Sequence, residues 1–123
     1  MTPFGRRLRE LRAERGVTLT DMAQSIGVSP TYLSALENGR RGKPTWALVQ
    51  RIIAYFNVIW DDAEELQRLA ELSQPKVTVD TGGLSPEATE LANLLASEIR
   101  HLPHDSVAEL LGRLKILCKH PGR

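Results

Sequence analysis

LTDMAQSIGVSPTYLSALEN, residues 19 to 38, carries the densest set of steric constraints in the chain. Met22, Ala23 and Ile26 recur at helical spacing, Gly27 interrupts them, and Leu33 and Leu36 resume the apolar face after Ser29 and Pro30. Gly27 can take the left-handed conformation that ends a helix, and Ser29 with Pro30 is an N-cap and first-turn pair that starts another. Ala23 is small where a second helix must approach, and Val28 is apolar where the turn folds under. Two short helices crossing at a tight turn satisfy all of these demands together, which is the arrangement of a helix-turn-helix. Any single one of these residues would fit a generic helical hairpin.

Working outward, Thr2 and Pro3 form a cap and first-turn pair for a helix carrying Phe4, Leu8 and Leu11 and stopping at Gly16. Thr18 can cap the second helix, and Gly39 closes the third. Pro44 and Thr45 open a fourth with Leu48, Ile52 and Phe56 on one face, ending near Asn57. A fifth has Asp61 and Asp62 at its positive end and Leu66 and Leu69 inward. The expectation is an all-α protein whose residues 1–73 make a five-helix domain.

Residues 74–83 break the helical pattern at Pro75, Gly82 and Gly83 and read as a linker. Lys76 to Asp80 alternates, so a short strand paired with its twin in a dimer is the other reading. Ser85 and Pro86 restart helix, and Ala88, Leu91, Leu95, Ile99 and Leu102 form an apolar stripe up to Pro103. Val107, Leu110, Leu111, Leu114 and Leu117 form a second one. Two amphipathic helices over 84–120 cannot hide both stripes by pairing only with each other. They pack back on the N-terminal domain or, as the favoured reading, form a homodimer through Leu91, Leu95, Ile99, Val107, Leu110, Leu111, Leu114 and Leu117.

The net charge of +1 conceals an asymmetry: residues 1–51 hold nine Arg or Lys against four acids, the remainder seven against eleven. A positive N-terminal half suits a polyanion. The single cysteine, Cys118, excludes an internal disulfide and reads as a small buried hydrophobe. Trp46 and Trp60 read as core or interface aromatics, since duplex DNA exposes no base faces for stacking. Arg6, Arg7, Arg9 and Glu10 stand where a secretory signal would turn apolar, and no run is long enough for a membrane span, so a cytoplasmic, nucleoid-associated protein is expected. His101 and His104 flank Pro103, and with His120 they lack the acidic partners of a metal site; no cofactor, metal or enzymatic activity is expected.

Over residues 4–60 the chain resembles the Xre-type regulators, the group of the lambdoid phage repressors and Cro proteins. The resemblance rests on Phe4-Gly5-Arg6-Arg7-Leu8-Arg9-Glu10-Leu11-Arg12, on Met22-Ala23 with Gly27-Val28-Ser29, and on Leu33-Ser34-Ala35-Leu36-Glu37-Asn38-Gly39 followed by Pro44. It implies a five-helix domain that binds operator DNA, usually as a dimer on an inverted repeat. It implies that Thr18 contacts phosphate, that Pro30, Thr31 and Ala35 face base edges, and that Ser29, Tyr32 and Ser34 lie beside them. It also implies that Arg12 pairs with Glu37, which aims Arg12 at a phosphate.

Arg40, Arg41 and Lys43 follow the third helix together with Asn38 and Gly39 and read as phosphate contacts. No Arg, Gln or Asn stands among residues 29–37, so readout should lean on methyl packing, hydroxyls and DNA shape. Leu19 stands where relatives commonly carry a glutamine, and Ile53 where they carry a small residue. The expected function is a sequence-specific DNA-binding regulator, a repressor in the favoured reading. The alternative is an antitoxin-type autoregulator whose C-terminal helices bind a partner protein.

Overall fold

The computed structural model describes residues 1–119, so His120 and the end of the expected 84–120 region lie outside the described residues. Among the described residues seven α-helices follow one another: α1 Pro3–Arg15, α2 Leu19–Ile26, α3 Pro30–Glu37, α4 Trp46–Phe56, α5 Trp60–Glu71, α6 Pro86–Glu98 and α7 His104–Cys118. No strand occurs among the described residues; Lys76 lies in a bend and Val77 to Asp80 carry no regular structure.

One device starts most of these helices. Thr2, Thr18, Ser29, Thr45 and Ser85 each accept a hydrogen bond from the backbone N–H three residues on, at 3.0–3.2 Å. One device also ends them. After α1, α2 and α4 a residue in left-handed conformation (Gly16, Gly27, Asn57) lets Val17, Val28 and Val58 donate to Arg12, Ala23 and Ile53 at 3.0–3.1 Å. Each valine then packs partly buried against the core.

The chain forms two units, the first running from Met1 to Val77. Its core joins Phe4, Leu8 and Leu11 of α1, Met22, Ala23 and Ile26 of α2, Leu33 and Leu36 of α3, Leu48, Val49, Ile52 and Phe56 of α4, and Leu66 and Ala70 of α5. α2 packs on α3 and α4, and α1 on α3 and α5. This unit passes the expected boundary at residue 73 because the end of α5 is tied down. Ser73 is buried, its Oγ accepts from the Phe4 N–H at 3.0 Å and donates to the Leu69 carbonyl at 2.6 Å, and Gln74 is bonded to the loop before α4.

Of the core and interface readings of two aromatics, only the interface one is left. Trp46 is 74% and Trp60 82% exposed, so neither belongs to the core. Each is the first residue of its helix, where the side chain points off the first turn rather than along the buried face. Trp60 also has φ +54°, a left-handed conformation that costs a bulky residue about 1–3 kcal/mol, and Ile59 gives α5 no side-chain cap.

The second unit, from Thr78, contains α6, α7 and between them a 3-10 turn at Ile99–His101. That turn ends the α-helix at Glu98, so Ile99 and Leu102 leave the regular stripe. None of these elements buries a residue. Leu91, Leu95, Ile99, Leu110, Leu111, Leu114 and Leu117 are exposed and Val107 is half-buried. Cys118 is exposed as well, against the expectation of a buried thiol. No described helix is long and apolar enough to cross a membrane.

Candidate nucleic-acid interface

α3 sorts its residues by face. Leu33, Leu36 and Glu37 are buried, Pro30 and Thr31 are exposed, and Tyr32, Ser34 and Ala35 are half-buried on the outer side. Thr18 and Ser29, the caps of α2 and α3, are also exposed, so their hydroxyls and the N–H groups of the first helical turns sit at solvent-facing positive helix ends. The outer face thus offers hydroxyls, one phenol and apolar surface, which can accept from or pack on base edges without a bidentate fork.

The segment after α3 supplies cations. Gly39, at φ +76°, ends the helix with the left-handed device used elsewhere, and the Arg40 N–H donates to the Ala35 carbonyl at 2.9 Å. Where the other three stops carry a valine turned into the core, this one carries Arg40, which stays exposed. Asn38 uses its amide Nδ2 to donate to the Ser34 carbonyl at 2.9 Å, which closes the end of α3. The Arg41 guanidinium lies 5.4 Å from the Tyr32 ring centroid. Lys43 Nζ is 2.6 Å from Glu71 Oε2 at the end of α5, and the Lys43 N–H donates to Gln74 Oε1 at 2.9 Å.

Beneath this face lies the most buried charge of the unit. Glu37 is 1% exposed and forms a bidentate ion pair with Arg12, whose Nη2 is 3.2 Å from Oε1. Arg9 Nε approaches the same oxygen at 3.5 Å, while its side chain stays half exposed. The carboxylate therefore holds two guanidiniums of α1, and the cluster keeps a net positive charge. The backbone of Glu37 is equally engaged. Its carbonyl accepts from the Thr2 N–H at 3.0 Å, and a Cβ on Gly5 would stand only 2.3 Å from that oxygen. α1 and α3 cross at a distance that only glycine permits.

Sequence reasoning overlooked several of these parts. Arg9 lies three residues before Arg12 on one face of a helix, a spacing that would have found it. Gly5 lies inside an ordinary helical pattern, and nothing local marks it as a crossing point. Arg51 donates from Nη1 to the Ile26 carbonyl at 2.8 Å, tying α4 to the turn between α2 and α3. Arg15 does the same for the end of α4 through the Phe56 carbonyl at 2.6 Å. These pairs span 25 and 41 residues, so no local pattern announces them.

The family described as "Helix-turn-helix domain" matches residues 3–69, more than half of the chain. Among curated proteins, the chain is 39% identical over 62 residues to the uncharacterized HTH-type transcriptional regulator RghRB of Bacillus subtilis, a match covering 50% of this chain and 45% of that protein. It is 31% identical over 102 residues to the HTH-type transcriptional repressor RghR of the same organism, covering 80% of this chain and 76% of RghR. It is 41% identical over 59 residues to the HTH-type transcriptional regulator DdrOP3 of Deinococcus deserti, covering 48% and 45%. The chain thus spans about half the length of RghRB and DdrOP3 and about three quarters of RghR. No solved structure matches the chain. A helix-turn-helix with its second helix turned outward and cations directly after it, within a matching domain and among such relatives, places the chain in the Xre-type helix-turn-helix family of DNA-binding transcriptional regulators.

Proposed function

We propose that the protein is a sequence-specific repressor that binds an inverted-repeat operator as a homodimer, one α3 in the major groove of each half-site. The observation that carries this reading is the division of α3, which commits Leu33, Leu36 and Glu37 to the body and turns Pro30, Thr31 and the outer sides of Tyr32, Ser34 and Ala35 to solvent. In this reading Thr31 and Ala35 meet base edges with Pro30, while Thr18, Ser29, Tyr32, Ser34 and the backbone at Asn38 lie along the strands. Arg12, Arg40, Arg41 and Lys43 contact phosphates. Such a protein works beside the chromosome, in the cytoplasm. The name of RghR, which matches four-fifths of the chain, favours repression.

The second unit supports the homodimer. Two helices that bury no residue, with leucines about half exposed, do not form a stable fold alone and need a second surface. A second copy offers the same stripes in matching register, whereas a different partner protein is the competing occupant. Light scattering separates them: a dimer that Leu95→Glu and Leu114→Glu convert to monomer supports self-association, and a monomeric wild type sinks it.

Selection of bound duplexes from a random pool tests the whole reading. A two-fold symmetric site is expected, and failure to enrich any sequence overturns specific recognition. Arg41→Ala should weaken binding to every sequence and flatten its salt dependence, by about 0.9 in the slope of log K against log salt for each chain bound. Thr31→Ala should instead relax the preference at one base pair per half-site. The reverse pattern would show that the two surfaces are exchanged.

A further inference from the structure

Resting on that reading of the DNA face, we propose that Glu71 is an internal stand-in for a DNA phosphate: it holds Lys43 in the free protein and must release it on binding. Glu71 therefore acts as a brake on DNA affinity, applied equally to all sequences.

Glu71 is the last residue of α5, where the helix dipole presents its negative end and a carboxylate is disfavoured. What offsets that misplacement is Lys43, whose Nζ lies 2.6 Å from Glu71 Oε2. A residue that breaks a local rule and is compensated only from a functional loop marks a functional constraint. Nor is this a chance meeting of two mobile side chains. Ser73 pins the end of α5 to the start of α1, and Gln74 Oε1 accepts from the Lys43 N–H at 2.9 Å, so side-chain-to-backbone bonds hold loop and helix end together.

Both charged groups remain open to solvent, the Lys43 side chain 45% and that of Glu71 70% exposed. An exposed pair is weak enough for a phosphate to displace. Displacement leaves the Glu71 carboxylate unpaired beside both a negative helix end and the DNA strand, and that repulsion opposes binding. Gln74 is the positioning residue of the arrangement, since it fixes the backbone from which Lys43 extends.

The test uses the full chain and a mixed-sequence duplex of about 30 base pairs, roughly three helical turns. Glu71→Gln keeps the shape and removes the charge. At about 100 mM salt it should bind roughly two- to five-fold tighter, with the slope of log K against log salt steeper by up to about 0.9 per chain. In a Lys43→Gln background the same change should do nothing. Gln74→Ala should weaken binding with little change in slope. Unchanged or weaker binding by Glu71→Gln overturns the proposal, and so does an effect that persists without Lys43. If Arg41→Ala weakens binding while Lys43→Gln and Glu71→Gln both leave it unchanged, only this inference fails. If neither Arg41→Ala nor Lys43→Gln matters, the reading of the interface itself fails.

Discussion

Glu37→Gln should lower the stability of the N-terminal unit by about 3 kcal/mol, a fall in melting temperature of roughly 12–24 °C for a unit of this size. The glutamine fits the same space, so the loss comes from charge. With the carboxylate gone, the Arg12 guanidinium, whose side chain is 11% exposed, keeps its positive charge with little water to solvate it. Removing one member of a buried pair costs about 3–5 kcal/mol. The half-exposed Arg9 recovers hydration, which sets the expectation at the lower end. Pairing Arg12→Met with Glu37→Leu should restore most of the stability, because apolar residues of similar volume carry no desolvation penalty. Thermal denaturation followed by circular dichroism gives both numbers. If the single variant melted like the wild type, the Arg9, Arg12 and Glu37 cluster would hold nothing together.

Gly5→Ala should destabilise the same unit by about 3 kcal/mol, the upper range for inserting a methyl group into a filled space. Helix propensity alone gives the opposite sign, since alanine is favoured over glycine in a helix by up to about 1 kcal/mol. The structure decides between them. The new Cβ would lie 2.3 Å from the Glu37 carbonyl oxygen and 2.7 Å from its Cα, backbone atoms that cannot rotate aside. α1 would have to lift from α3, breaking the bond from the Thr2 N–H to that carbonyl. Gly112→Ala in α7 is the control. Its Cβ meets nothing within 4 Å, so there propensity should win and helix content should rise.

The elements of the first unit were legible because its boundaries rest on local chemistry. Thr2, Thr18, Ser29 and Thr45 each cap the helix expected of them, and Gly16, Gly27 and Asn57 stop theirs in left-handed conformation. The apolar spacing of Leu8, Leu33, Ile52 and Leu66 likewise marks residues that are buried. Apolar character alone did not decide burial. Trp46 and Trp60 are large and apolar, and only their place at the first position of a helix, not their hydropathy, explains their exposure. Cys118 was misjudged for the same reason, since an apolar neighbourhood in sequence does not supply a covering surface in space.

The candidate site shows the same divide. The outward residues of α3 follow from helical periodicity once its inward ones are known. Which charges stand ready for a polyanion does not. Lys43 and Arg41 read alike within one loop, yet Lys43 meets Glu71 from α5 and Arg41 lies over Tyr32 of α3. That difference depends on helices 28 and 9 residues away, and it is set by how the domain packs.

The two exposed indoles have an optical consequence. Trp46 begins α4 just after the cationic loop, and Trp60 follows the far end of that helix. Both rings should emit at the long wavelengths of water-exposed tryptophan, but only Trp46 stands beside the residues assigned to the phosphate strands. A change in emission on adding DNA is therefore expected from Trp46, with Trp60 as the comparison inside the same molecule. A Trp60→Phe chain would then carry a single tryptophan, excitable apart from Tyr32 and Tyr55, and binding could be followed without attaching a dye.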